Sequence, residues 1–399
     1  MRSLRNNIKY YITGNVGVLL LTWLLYGIGN AITMPYLSIY MKMLGANSVE
    51  IGITYSIAIS AQLMTIIPGG YLTDTIGRRK SIVIGTWLIT ITSFLMAIAP
   101  NWQSLIAIYA INMAAAFYQP ALSAIIIDSL PQERYASGIL ITSVLPQIPW
   151  LILPPIGGLL INKYGLLGIR LAYIISAFIS VAVAVIRQFT LKETLRNDNE
   201  RISFREVLHS YYSLSDIVNL PNDVVRIYII ALLLTISVMP ANTLLSVFAV
   251  YRLGLSTVYW GYFVSVSYAA YIAIGILLTF YVDKLRRWLM LLGSVINILG
   301  SAVGLFENVL TAMFYLILLQ VGSQLIMTEL QSGLGRLVKI DRRGYGFSFF
   351  IVFQLVGQII GGYLSGALYS ISTYTLFLTP LILSLMILIL HIIRKIIDQ

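Results

Sequence analysis

An aspartate, a glycine three residues on and three cations in a row make the most chemically pointed stretch of this chain: Asp74, Gly77, Arg78, Arg79 and Lys80. They belong to the segment Gly69-Gly70-Tyr71-Leu72-Thr73-Asp74-Thr75-Ile76-Gly77-Arg78-Arg79-Lys80, which separates two apolar runs, each long enough to cross a membrane. At that spacing the carboxylate can cap a helix and the cations can face an anionic surface, so the segment reads as a tight charged hairpin. A weaker copy, Asp283 followed by Arg286 and Arg287, comes roughly 200 residues later, as parallel repeats would place it. Asp128 is echoed by Glu329 at a similar offset.

Other groups able to do chemistry are few. The chain has no cysteine and only two histidines, His209 and His391, far apart in sequence, which argues against thiol catalysis and a metal site. No phosphate-cradling Gly-x-x-x-x-Gly-Lys-Ser/Thr loop occurs, no nucleophile sits beside a base, and no cofactor is implied. An enzyme is therefore not expected. No acidic residue falls near the middle of an apolar run. Asp128 and Glu329, at the ends of the fourth and tenth runs, are the candidate carboxylates for proton coupling. Each has a plainer reading as an ion-pair member, Asp128 with Arg78 and Arg134, Glu329 with Arg336 or the basic loop 339–343.

Inside the apolar runs the polarity is neutral and recurs every three or four residues, which puts it on one stripe of a helix. A stripe facing lipid would leave amides unsatisfied, so it must face other helices or a wet cavity. Tyr26, Asn30, Gln119, Gln147, Trp150, Asn242, Tyr268, Tyr271, Gln324, Gln354 and Gln358 are the candidate substrate-binding set. Amides with aromatic walls suit a small neutral or amphipathic solute. No Lys or Arg is expected at mid-membrane depth, which disfavours phosphates and dicarboxylates.

These residues need a membrane scaffold, and composition supplies one. Of 399 residues 58% are hydrophobic and 10% charged, a balance that fits an all-α integral membrane protein. Twelve spans are expected at 15–41, 51–73, 81–99, 103–127, 136–161, 168–190, 226–251, 258–282, 288–306, 309–330, 345–370 and 374–393. The first is too long for a cleavable leader and stays as a span. With both termini placed in the cytoplasm, all 26 Lys and Arg except Lys42, Lys163, Arg170 and Arg252 fall on the inner side, Arg187 among them. The net charge of +11 then belongs to loops facing the anionic inner leaflet of the cell membrane rather than to nucleic acid. A polar stretch at 191–225, with a capping-box start at Ser203 suggesting an interfacial helix, divides an N-terminal six-helix bundle, 1–190, from a C-terminal one, 226–399.

The charged hairpin closely resembles the loop between the second and third helices of major facilitator superfamily transporters, Gly-x-Leu-x-Asp-x-x-Gly-Arg-Arg/Lys. Span count, linker and repeat extend the resemblance over nearly the whole chain. Pro154-Pro155-Ile156-Gly157-Gly158 in the fifth span is similar to the Gly-Pro-x-x-Gly-Gly stretch of the family's drug/proton antiporters, with Leu153 in place of the leading Gly, and its Pro and paired Gly would bend the helix and permit close packing. The fourth span lacks the Arg-x-x-x-Gly element that many of those antiporters carry. The resemblance implies two pseudo-symmetric six-helix bundles that rock in alternating access. Gly70, Asp74, Gly77, Arg78, Arg79, Asp128, Asp283 and Arg287 would form a cytoplasmic latch. It implies a monomeric secondary transporter of a small organic solute, with proton-coupled efflux of drug-like compounds first. Uptake or facilitated diffusion of a sugar-like or nucleoside-like solute, without proton antiport, is the alternative.

Overall fold

The computed structural model describes residues 13–131, 142, 145–195, 221–338 and 343–397, and every regular element among them is helical. That is the expected solution for a chain without water to satisfy its backbone, because a helix pairs each N–H and C=O within the segment. In order, the elements are α1 (Gly14–Thr33), a 3-10 turn (Met34–Tyr36), α2 (Leu37–Met43), α3 (Ser48–Ile76), α4 (Arg78–Ala97) and α5 (Trp102–Ala114). A second 3-10 turn (Ala115–Tyr118), α6 (Gln119–Ser129), a third (Leu145–Leu151), α7 (Pro154–Tyr164) and α8 (Leu166–Thr190) follow. After the linker come α9 (Asn222–Val247), a π turn (Phe248–Arg252), α10 (Thr257–Gly304), α11 (Val309–Leu337), α12 (Arg343–Ile371) and α13 (Thr375–Ile397).

Among the described residues ten helical stretches are long and apolar enough to span a bilayer, eleven when one bent pair counts as a single span. The shorter apolar helix Trp288–Gly304 supplies the twelfth. The bent pair is the fifth span. Its expected range is 136–161 with a proline bend, and its described part turns by 42° between Leu145–Leu151 and Pro154–Tyr164. Pro149, Pro154 and Pro155 lack the N–H donors that would carry a straight helix through. Likewise the fourth span tightens into a 3-10 turn just before Pro120.

The eighth and ninth spans were expected to be separated by a loop at 283–287, whereas helical structure runs unbroken through α10 for 48 residues. A straight helix of that length would reach about 72 Å, more than twice a hydrocarbon core, so the two apolar stretches Thr257–Leu278 and Trp288–Gly304 remain separate spans. The side chains of Asp283, Arg286 and Arg287 lie outside the described residues, as do Arg134, the loop 339–342 and the capping-box segment at 203–208.

Two compact units divide the chain, one from residues 1–36 and 61–215, the other from 37–60 and 216–399. The first has a core of Val16, Leu19 and Leu20 on α1, Ile82 on α4, and Tyr118, Leu122, Ile125 and Ile126 on the fourth span, closed by Leu191. Glycine lets its helices touch: a Cβ on Gly29 would stand 2.6 Å from the Ser176 hydroxyl on α8. In the second unit α9 and α12 pack against each other through Gly361, where a Cβ would meet the Met239 Cβ at 2.8 Å. The start of α3 joins the same unit, with Gly52 against the Gly362 carbonyl and the Ser56 hydroxyl donating to the Ile359 carbonyl at 2.7 Å. Large apolar side chains point outward from α8 and α13, Phe178, Phe189, Ile382 and Ile389 among them, as a lipid-facing surface requires.

Candidate functional site

The charged turn is built from residues far apart in sequence. α3 ends at Ile76, Gly77 turns the chain with φ +96°, and α4 starts at Arg78. Both helices carry charge of the wrong sign for their dipoles. Asp74 lies in the last turn of α3, where a carboxylate is disfavoured, and Arg78, Arg79 and Lys80 open α4, where cations are disfavoured. Glu193, just beyond α8, offsets the second mismatch: its two oxygens accept the backbone N–H groups of Arg78 and Arg79 at 3.1 and 3.0 Å. Oε1 also accepts from the N–H of Thr194 and Leu195 at 3.0 and 3.1 Å.

Around that cap the rest of the turn is tied down. The Arg78 guanidinium forms an ion pair with Asp128 at the end of α6 and donates to the Thr194 hydroxyl at 3.3 Å. Arg79 donates to the Gln188 carbonyl at 2.5 Å, and Trp87 Nε1 donates to the Gln188 side chain at 2.8 Å. From α1, Asn15 pairs with the Lys192 backbone in both directions, at 3.0 and 2.8 Å. Neither of the ion pairs Arg78–Asp128 and Arg336–Glu329 involves Asp74, which is exposed. Gly70 has open space where a Cβ would stand.

Arg187 corrects the expectation for the interior. It was counted with the loop cations, yet its side chain is fully buried among α1, α4, the fourth span and its own helix α8. The reason is geometric: α8 runs toward Thr190, and a long side chain leans back toward its helix N-terminus, here into the bundle. Nε donates to the Thr22 hydroxyl at 3.1 Å and Nη1 to the Thr86 hydroxyl at 3.0 Å. The rings of Tyr26 and Tyr118 stand 5.2 and 6.0 Å from the guanidinium carbon. An interior cation therefore exists, and the case against an anionic group in the cargo loses its premise.

The remaining candidates fall into separate groups. In the first unit Tyr26 faces Arg187, Asn30 lies one turn further along α1, and Gln147 and Trp150 are half-buried on the 3-10 turn before the fifth-span bend. Gln119, at the start of α6, is exposed. In the second unit three helices bring candidates together. The rings of Tyr268 and Tyr271 on α10 lie 6.3 Å apart, and the Gln324 amide nitrogen of α11 would be 2.9 Å from a Cβ on Gly275, one turn further on. Gln354 of α12 donates to the Met327 sulfur at 3.1 Å, one turn after Gln324. Gln358 is half-buried on α12, and Asn242 is exposed on α9. Glu329 accepts from Arg336 at 3.1 Å.

Sequence reasoning missed Glu193, Arg187 and Asn297. Asn297 is fully buried on α10 and donates to the Ser323 hydroxyl of α11 at 3.3 Å. A polar residue inside an apolar run was the available signal for Asn297.

The model of the Major Facilitator Superfamily matches this chain over residues 19–285 and 227–396. The chain belongs to the major facilitator superfamily. A superfamily relative, an uncharacterized MFS-type transporter of Methanocaldococcus jannaschii, is 23% identical over 87% of this chain and 89% of its own length. The quinolone resistance protein NorA of Staphylococcus aureus is 26% identical over 132 residues, 33% of this chain and 34% of NorA. Among solved structures, the nucleoside transporter NupG superposes with a TM-score of 0.76 at 15% identity, over 95% of this chain and 98% of that one. That likeness shows the fold. Membership of the superfamily makes the protein a multi-pass membrane transporter rather than an enzyme, with twelve spans in two bundles. It also makes a small molecule its cargo.

Proposed function

We propose that this superfamily member is a secondary transporter that exports a small amphipathic organic solute by alternating access, in the manner of drug efflux. The observation that carries the reading is the charged turn, whose Asp74 and Arg78 to Lys80 oppose the dipoles of their own helices. A chain spends stability on such an arrangement where the charges serve another state. Asp74, exposed here, is the group that changes partners as the path opens to one side and then the other. The partial match to NorA and the Pro154–Gly158 stretch support export. The protein works as a monomer in the cell membrane, with the Asp74 turn and both termini on the cytoplasmic side, where its loop cations meet the anionic leaflet.

A second reading, entry of a sugar-like or nucleoside-like solute without proton antiport, is favoured by Gln324, whose buried Oε1 accepts no hydrogen bond among the described residues. Such an acceptor suits a hydroxylated cargo. Flux in proteoliposomes, with and without an imposed pH gradient, separates the two. Gradient-driven movement of amphipathic dyes supports efflux, and gradient-independent movement of a nucleoside supports the alternative.

A further inference from the structure

Among the described residues Arg187 is a charge without a counter-charge. A guanidinium is a permanent cation in proteins, so burial of an arginine has to be met by a partner. Nothing within the elements around it supplies an anion. α1, α4 and α8 contain no Asp or Glu, and the one carboxylate of the fourth span, Asp128, is engaged by Arg78. The two hydroxyls that receive its protons are neutral and donate their own to helix carbonyls, Thr22 to Leu19 at 3.1 Å and Thr86 to Ile82 at 2.6 Å.

Two tyrosine faces add cation–π attraction, which falls short of the cost of burying an unpaired ion. One arm of the fork is idle: Nη2 is buried with no hydrogen-bond partner among the described residues, and so is the Tyr26 hydroxyl, on the ring that faces the guanidinium. Both Thr22 and Thr86 lie eight residues in from the first residue of their helices. The cluster therefore sits about 12 Å inside the bundle, too deep for a loop cation.

We infer that Arg187 Nη2 and the Tyr26 hydroxyl are the donor pair of an internal anion site that takes one monovalent anion. The anion is either the carboxylate of the cargo or a free halide. A planar carboxylate matches the fork of a guanidinium, and a halide needs only converging donors. The inference rests on the carrier reading in one respect: the group is sealed from solvent here, so a ligand reaches it when the helices of the first unit part during the cycle. Binding is measured without flux, so failure of the transport reading and failure of the anion site show up separately.

The test uses the detergent-purified full chain. Line broadening of chloride-35 resonances reports the halide, and saturation-transfer NMR of benzoate, with neutral benzamide as control, reports the carboxylate. One of the two signals should saturate with concentration. It should weaken at least tenfold in Arg187→Gln and severalfold in Tyr26→Phe, while Arg187→Lys keeps part of it. Saturable benzoate binding that benzamide does not share assigns the cargo carboxylate, and saturable chloride broadening assigns the halide. Should Arg187→Gln lose its monodisperse size-exclusion profile, Tyr26→Phe and Arg187→Lys decide the matter. Absence of saturable binding of either anion to the wild type, or unchanged binding in folded variants, overturns the site.

Discussion

Glu193 caps a helix that begins 115 residues before it: its carboxylate oxygens accept the Arg78 and Arg79 backbone N–H groups at 3.1 and 3.0 Å. The cap puts a negative charge where three consecutive cations would otherwise face the positive end of α4. It also fastens the end of α8 to the charged turn, so the geometry of that turn depends on the first residues of the linker.

Removing the carboxylate should cost what an N-cap and a dipole partner contribute together, about 1–2 kcal/mol. Glu193→Ala should therefore lower the thermal midpoint of the purified protein. Glu193→Gln, which keeps an acceptor and loses the charge, should fall between the variant and the wild type. An unchanged midpoint for Glu193→Ala would mean that the cap contributes nothing.

Gly77 has two separate reasons to be glycine. Its φ of +96° is costly for any side chain, and a Cβ there would stand 2.6 Å from Glu193 Oε2. Gly77→Ala should destabilise by about 1–3 kcal/mol from the backbone alone, with the clash added. Placed in a Glu193→Ala background, the same substitution should cost less, because the clash is gone while the backbone strain stays. Equal cost in both backgrounds, read from denaturation midpoints, would remove Glu193 from the account.

How far these relationships could be read in advance depended on their range along the chain. Asp74, Gly77 and Arg78 stand within one turn, so their spacing alone announced the hairpin. The bend in the fifth span was equally local, announced by Pro149, Pro154 and Pro155. Glu193 looked like any acid of a polar linker, because its partners are more than a hundred residues away. Arg187 was misplaced for a related reason: three residues from the end of an apolar run, a cation reads as a loop residue. Only the packing of α1, α4 and the fourth span shows that its side chain turns inward. The unbroken α10 escaped notice because a charged run between apolar stretches reads as a loop, although Leu285 and the flanking residues suit a helix equally well.

Asp128 should behave as the partner of Arg78 rather than as a proton carrier. Asp128→Asn leaves that guanidinium without its anion at a partly exposed site, a loss of roughly 0.5–1 kcal/mol. In a double-mutant cycle with Arg78→Gln the second substitution should add little to the first. The response of transport to an imposed pH gradient should be the same in Asp128→Asn as in the wild type. A variant that still transports but no longer responds to the gradient would make Asp128 a coupling site.

The central claim is a carrier of small organic solutes that alternates between two exposures with Asp74 as a changing contact. Counterflow in proteoliposomes tests it most directly, with ethidium and tritiated uridine as cargo in parallel. The wild type should show saturable movement of one of them, accelerated by unlabelled cargo on the opposite side. Asp74→Asn should fold and insert normally yet lose most of that exchange. Flux of either solute that rises linearly with concentration and ignores cargo on the far side, or full exchange in Asp74→Asn, would contradict the account.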